Sequence, residues 1–204
     1  MNTVVKNVDK LKDIVCKIKS YDVMVNKEEL PLLFAELEKI SRKEKSKFYL
    51  EYFTDVNFAL KIISLARSFK FNEKEVTNIV SLLGNMVRRY GLPPLDEIFY
   101  FLFSLKDKKK VSYYVSLFIT AFPQFHEHDD KWRYLTSMPK IAPKDKSERN
   151  FYFEVKKIIS SEENIPSFYK DEIISKFEEY LDKAKNEIYK NEYKEIIKSL
   201  LLSS

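Results

Sequence analysis

Glycine is almost absent from this chain, which holds only Gly84 and Gly91 among its 204 residues. Backbone that cradles a phosphate or turns through positive φ normally needs glycine. The P-loop, the dinucleotide-binding fingerprint and the nucleophile elbow each need two or more glycines a few residues apart, so none of these motifs is present. The sequence therefore excludes several of the commonest catalytic and nucleotide-binding sites.

Apolar residues recur at helical spacing through most of the chain, and alternating runs bounded by turn residues are scarce. This pattern predicts an all-α fold, a single domain over residues 1–204 with eight or nine helices in an irregular array or bundle. The composition, 45% apolar and 15% aromatic, supplies enough material for a substantial core. The strongly apolar stretch 95–122 is expected near the centre of that core.

Capping residues mark several predicted helix ends. Asn26 and Asn72 each precede a glutamate by three residues, which is the spacing of a capping box. Gly91 is placed to end the helix that begins after Asn72. Gly84 lies inside the same helix, where it costs roughly 1 kcal/mol relative to alanine unless another helix approaches closely. We therefore expect close helix packing at Gly84.

Other boundaries are predicted from prolines and polar clusters. Residues 124–130 are expected to form a polar loop, and residues 139–146 an exposed linker. Ser147 is expected to cap the next helix, and Thr54 or Asp55 an earlier one. An apolar stripe over residues 167–201 continues for about nine turns, so it predicts either one long helix or two helices broken near Asn186.

The cysteine and hydropathy patterns bear on the compartment. Cys16 is the sole cysteine, so no disulfide forms within the chain, and its place in a periodic stretch favours a buried or half-buried thiol. No segment reaches the roughly 18 uninterrupted apolar residues of a membrane span. Two charged residues, Asp9 and Asp13, lie where a signal peptide would have its hydrophobic region. We expect a cytoplasmic protein with no membrane partner.

Both histidines lie in the sequence Phe-His-Glu-His-Asp-Asp at residues 125–130. Imidazole and carboxylate together suit zinc, iron or nickel. Further ligands would have to be other carboxylates or Cys16, so we favour a solvated polar loop over a metal site. No metal and no cofactor is predicted, and a carboxylate-dependent metalloenzyme is kept as an alternative.

The same segment carries the predicted partner-binding surface. Three carboxylates flanked by two aromatic rings suit a basic cleft on a protein partner, such as a nuclease presents. A core role for the tryptophan, sealing the loop, is the competing interpretation. The predicted contact residues are Phe125, Glu127, Asp129, Asp130 and Trp132.

A nucleic-acid surface is the alternative interpretation, because the net charge of +5 is uneven. Residues 1–90 hold 17 Lys and Arg against 12 Asp and Glu, whereas residues 91–204 hold 19 of each. A dedicated nucleic-acid binder would show denser clustering on one face, and a lysine run after an apolar helix often only ends that helix. The candidate phosphate contacts are Arg88, Arg89, Lys108, Lys109 and Lys110.

These observations favour a non-catalytic helical interaction protein. The poverty in glycine, histidine and cysteine removes the commonest catalytic sites, so we do not expect an enzyme. The best hypothesis is a bacterial immunity or antitoxin type of protein, which needs a stable surface and no catalytic residues to block the active site of a toxin. A nucleic-acid-binding regulator or RNA-associated protein is the first alternative.

Overall fold

The computed structural model describes residues 3–22, 27–43 and 45–202. Over these residues the chain forms twelve α-helices and no strand, so the all-α prediction is confirmed. The predicted count of eight or nine helices is too low, because some helices are as short as four residues. Proximity of Cα atoms divides the chain into two compact units, residues 1–127 and residues 128–204. The assignment of all 204 residues to a single domain stays a prediction.

The first unit is built from helices of very different length. A π-helical turn, Met86–Tyr90, directly extends the fifth of them. The helices are α1 (Thr3–Lys19), α2 (Leu30–Lys43), α3 (Leu50–Phe53), α4 (Val56–Ser68), α5 (Glu73–Asn85), α6 (Asp96–Phe103), α7 (Ser112–Phe118) and α8 (Pro123–Glu127). Helix α2 packs on α5, and α6 buries most of its side chains, as its composition predicts.

A buried polar contact joins α2 to α5. Glu38 is 8% exposed, and its Oε1 accepts hydrogen bonds from Ser81 Oγ at 2.9 Å and from Arg42 Nε at 2.8 Å. About one turn further, Asn85 Nδ2 donates to Ser41 Oγ at 3.3 Å. Because buried polar groups lose free energy without partners, these bonds favour one register of the two helices.

The helix ends agree with several of the predicted caps. Asn72 and Glu75 form a reciprocal capping box at the start of α5. Asp55 Oδ1 accepts from the Phe58 amide at 3.1 Å at the start of α4. Gly91 has φ of 80° and follows the π-helical turn, so its position in the left-handed region ends the helix as predicted. The predicted cap Asn26 lies outside the described residues.

Gly84 lies where α5 meets α7. A Cβ atom added to Gly84 would overlap the ring of Phe118 in α7. The absent side chain thus allows the two helices to approach closely, which confirms the packing expected at this glycine.

The second unit contains four described helices: α9 (Lys131–Ser137), α10 (Lys144–Ser160), α11 (Ser167–Lys183) and α12 (Glu187–Leu202). Helix α11 packs against α9 and α12. In the core of the second unit, the rings of Phe151 and Phe177 stack with their centroids 5.6 Å apart. The predicted break near Asn186 is confirmed. The Asn186 side chain accepts from the Ile188 amide at 2.8 Å at the start of α12.

Some boundaries differ from the prediction. Residues 124–130 are not a loop throughout, because α8 begins at Pro123, a residue suited to a first helical turn, and buries Phe125. Helix α10 begins at Lys144, so Ser147 lies inside the helix and is buried instead of capping it. The predicted exposed linker is correspondingly shorter, and Pro139 is buried. The expectation of a buried or half-buried thiol at Cys16 is wrong, because Cys16 is exposed and faces away from the buried Ile14, Val15 and Ile18.

Hydropathy and helix length bear on membrane insertion. In the part of the chain that the structure describes, no helix is both long and apolar enough to cross a membrane.

Candidate functional site

The predicted acidic partner surface is divided between the two units. Phe125 and Glu127 belong to α8 in the first unit, whereas the other predicted contact residues belong to the second. Phe125 is 1% exposed, so the expectation that its ring flanks a contact surface is wrong. Its burial follows from the helical turn that starts at Pro123. Glu127 is exposed at the end of α8.

In the second unit, one of the two predicted carboxylates is already paired. Asp130 Oδ1 lies 2.9 Å from Arg133 Nη2, one helical turn along α9. The backbone amide of Asp130 donates to His128 Nδ1 at 3.0 Å. Asp129 is exposed, so it is the carboxylate of this pair that is better placed to meet a partner.

Trp132 is half-buried and has a structural contact of its own. The neighbouring Lys131 is 2% exposed, and its Nζ lies 4.5 Å from the centroid of the Trp132 ring. The same Nζ donates to a carboxylate oxygen of Glu163. Trp132 therefore helps to enclose a paired ammonium group, a role nearer to the sealing interpretation than to that of a projecting anchor.

The histidines take part in local contacts. His126 Nε2 lies 3.2 Å from the carbonyl oxygen of Thr120. Among the described residues, no group of three or more His, Cys, Asp or Glu side chains is arranged to hold a metal ion.

The arginines of the alternative surface bind backbone carbonyls within the first unit. Arg88 Nη1 donates to the Leu117 carbonyl at 3.1 Å, and Arg89 Nη1 donates to the Arg42 carbonyl. Both carbonyls belong to last turns, of α7 and α2, where a positive group stabilises the helix end. The two arginines thus connect the π-helical turn to two neighbouring helices.

The lysines of the alternative surface differ in their environment. Lys110 has φ of 64°, and its Nζ pairs with Glu73 at 3.1 Å. Lys109 is exposed and Lys108 is half-buried. Of the five predicted phosphate contacts, three have partners within the first unit, which reduces the charge available to a nucleic acid.

A groove of about 510 Å³ in the second unit brings together exposed acidic and aromatic side chains. Helix α11 lines it with Phe168, Asp171, Glu172, Ser175, Lys176 and Glu179. The first four are spaced i, i+3, i+4 and i+7, so they share one helix face. Lys140 and the buried Phe151 line it from other elements. We call this the acidic groove.

The carboxylates of the acidic groove are not equivalent. In the described residues Asp171 and Glu172 form no ion pair, whereas Glu179 lies 2.7 Å from Lys176 Nζ and 3.7 Å from Lys183 Nζ. Hydrogen bonding to Lys176, then its charge, holds the pKa of Glu179 below its usual value. The groove therefore offers two unpaired carboxylates at the end nearer Phe168, which is 66% exposed.

Sequence reasoning missed this groove, although α11 carries a signal. Phe168 lies off the apolar stripe that contains Ile173 and Phe177, and two acidic residues follow it on the same helix face. An aromatic side chain off the stripe indicates a surface position, and its acidic neighbours give that surface negative charge. The groove itself also depends on residues of α10 and the turn after α9, which helix periodicity does not bring together.

Comparisons with protein-family models, with curated proteins and with solved structures found no match. The candidate site is therefore supported by its own geometry and charge.

Proposed function

We propose that this chain is a non-catalytic helical binding protein whose acidic groove engages a basic cleft on a protein partner. The immunity and antitoxin proteins that block a toxin's active site are the class that this mode of binding fits best. The observation that supports the proposal is the exposed ring of Phe168 beside the unpaired carboxylates of Asp171 and Glu172.

The aromatic side chain provides the affinity in this proposal. Exposed Phe168 offers apolar area that becomes buried on binding, and aromatic residues are enriched in the buried centre of protein interfaces. Because Phe168 lies at the rim of a groove, a partner side chain inserted there contacts both the ring and the groove wall.

The carboxylates provide the specificity for a partner of positive charge. Asp171 and Glu172 have no internal counter-ion among the described residues, so their charge is available to lysines or arginines of the partner. Complementary charges accelerate association and disfavour partners of the same sign. No histidine or cysteine lines the groove, which agrees with a role in binding instead of in chemistry.

The test is affinity capture from native lysate with three charge-reversal variants. We expect a specific protein to be captured by the unaltered chain and lost with Asp171→Lys/Glu172→Lys. Glu178→Lys/Asp182→Lys is the matched control, because both residues are exposed on α11 outside the groove. Asp129→Lys/Asp130→Lys tests the surface that the sequence predicts.

The results discriminate between the hypotheses. Equal capture by the groove variant and the unaltered chain would overturn the groove as the contact site. Recovery of nucleic acid in place of a protein, lost in moderate salt and dependent on Lys108 and Lys109, would support the nucleic-acid alternative. Once the partner is identified, its association rate should fall with ionic strength for the unaltered chain and less for the groove variant.

A further inference from the structure

A second cavity of the second unit, about 390 Å³ in volume, is walled mainly by aromatic rings. Helix α10 contributes Tyr152 and Phe153, α11 contributes Tyr180, and α12 contributes Tyr189 and Tyr193. It shares no lining residue with the acidic groove. We call it the aromatic pocket.

Tyr193 contacts three other tyrosine rings of the aromatic pocket. Its ring centroid lies 5.9 Å from that of Tyr152, 5.8 Å from that of Tyr180 and 6.3 Å from that of Tyr189. The three interplanar angles are 81°, 47° and 20° respectively, so Tyr193 meets one ring edge-on, one at a tilt and one nearly parallel. Rings from three helices that surround one cavity offer both faces and edges to a ligand, and the electron-rich faces attract cations.

Two carboxylates line the same pocket. Asp145 and Glu148 both belong to α10, and neither forms an ion pair within the described residues. Arg149 is the single cation of the lining, and its guanidinium lies 5.6 Å from the Phe153 ring centroid. The lining therefore carries one more negative charge than positive charges.

The charge of Glu148 reaches the tyrosines. Burial, and next the negative charge of Glu148, raise the pKa of Tyr180 above its usual value. Burial is also the largest cause that raises the pKa of Tyr193, with Glu148 among the smaller ones. The pocket thus disfavours negative charge at the tyrosine hydroxyls, and the part of this effect that comes from the charge of Glu148 favours a cation.

One hydroxyl of the pocket is left without a partner. Tyr180 is 8% exposed, and its buried hydroxyl has no hydrogen-bond partner among the described residues. The Tyr152 hydroxyl, in contrast, donates to Glu192 Oε2 at 2.6 Å and accepts from Lys156 Nζ at 3.1 Å. Because a buried hydroxyl without a partner costs free energy, a ligand N–H group that donates to Tyr180 would stabilise the pocket.

From the rings, the carboxylates and the unpartnered hydroxyl, we infer that the aromatic pocket binds one organic cation, a guanidinium or ammonium group on an aliphatic stem. The rings of Tyr189 and Tyr193 receive the cation, since the other three rings already lie beside Arg149, Lys156 and Lys176. Glu148 and Asp145 balance its charge, and the Tyr180 hydroxyl accepts one of its hydrogen bonds. The cation can be an arginine or lysine side chain of another protein, or a free amine or polyamine. This inference does not depend on the proposed function.

Calorimetric titration of the full chain tests the inference and separates the two sources. The probes are agmatine, which is a free guanidinium compound, the peptide acetyl-Gly-Arg-Gly-amide, and the same peptide with neutral citrulline in place of arginine. We expect a cationic probe to bind with Kd of about 1 mM or tighter, and the citrulline peptide not to bind. Agmatine carries a second positive charge on its primary ammonium, so tighter binding of agmatine indicates a free ligand of the polyamine type, and tighter binding of the arginine peptide indicates a protein side chain.

Two substitutions in the pocket should change the affinity for the cationic probe in opposite directions. Glu148→Gln should lower the affinity for the cationic probe about threefold to fivefold, because one negative charge of the lining is lost. Arg149→Met should raise that affinity by a similar factor, because a competing cation is removed. Glu162→Gln, an exposed change outside the pocket, is the control and should leave affinity unaltered.

Ligand NMR supplies a second readout. Methylene protons of a bound probe should shift upfield under the ring currents of Tyr189 and Tyr193, and Tyr189→Ala should reduce that shift. Equal binding of the arginine and citrulline peptides, or changes of the same sign for Glu148→Gln and Arg149→Met, would overturn the inference.

Discussion

The ring of Phe118 occupies the space into which a side chain at Gly84 would project. The atoms nearest to that space include Cγ of the phenylalanine, the ring atom bonded to its Cβ. Rotation of the ring about the Cβ–Cγ bond therefore cannot clear the space, so a methyl group at Gly84 requires either a new Phe118 rotamer inside a packed core or a shift of α7.

We predict that Gly84→Ala destabilises the first unit. Overpacking costs about 1–3 kcal/mol, and because the added Cβ overlaps three atoms of the Phe118 ring, we expect a cost in the upper part of that range, above the roughly 1 kcal/mol gained when alanine replaces glycine in a helix. Chemical denaturation followed by circular dichroism measures the difference. In the double variant Gly84→Ala/Phe118→Leu, the loss in the free energy of unfolding should be smaller than the sum of the losses in the two single variants. A single variant as stable as the unaltered chain would contradict the close approach of α5 and α7.

A second prediction concerns Asp55, which caps α4 and pairs with Lys19 Nζ at 2.5 Å. The hydrogen bond from Lys19 is the largest cause that holds the pKa of Asp55 below its ordinary value of 3.8. Asp55→Ala should cost about 1 kcal/mol or more. Asp55→Asn keeps a good capping side chain and should cost less, because only the charge interaction is lost.

The pH dependence of stability separates the capping hydrogen bond of Asp55 from its ion pair with Lys19. Because the pKa of Asp55 is lower in the folded chain, its ionic contribution is complete above pH 3.8 and is lost as pH falls through the lowered value. The stability difference between the unaltered chain and Asp55→Asn should therefore shrink under acid conditions. A difference that stays constant from neutral pH to pH 3 would contradict an ionic origin.

A third prediction concerns the capping box of α5. Asn72→Ala should destabilise the first unit by about 1 kcal/mol, because the Glu75 amide then loses its acceptor. Asn191→Ala is the matched control, since Asn191 is exposed inside α12, where alanine has the higher helix propensity. Thermal unfolding should show a lower transition for Asn72→Ala and no loss of stability for Asn191→Ala.

Local rules predict the helix ends well. The caps at Asp55 and Asn72, the left-handed Gly91 and the break at Asn186 each depend on a few adjacent residues, so their sequence signals are direct. Ser147 shows the limit of such rules. Serine favours a cap, but α10 begins three residues earlier and buries it.

The candidate site depended on information that local rules do not contain. Phe125 sits in a polar sequence, yet it is buried because a short helix turns it inward. Phe168, Asp171 and Glu172 form a surface only because the elements after α9 and in α10 pack beside α11. The basic protein partner thus stays a prediction from charge and residue type, whereas tertiary packing determines which acidic residues share one surface.

A fourth prediction concerns the ion pair between the buried Lys131 and the half-buried Glu163. Glu163→Gln should destabilise the second unit more than Lys131→Met does, because the first change removes the carboxylate from a buried ammonium and the second removes the ammonium itself. Denaturation curves of both variants provide the comparison. A larger loss for Lys131→Met would indicate that the ion pair itself contributes most of the stability.

The contact between Lys131 and Trp132 also gives the chain an internal reporter. Trp132 is the only tryptophan of the sequence, and it belongs to the second unit. Selective excitation of its indole therefore follows the unfolding of residues 128–204, while far-ultraviolet circular dichroism follows the helices of both units. Coincident transitions would indicate one cooperative body, and separated transitions would indicate two that unfold independently. The unlabelled chain thus carries the probe that decides whether it folds as one domain.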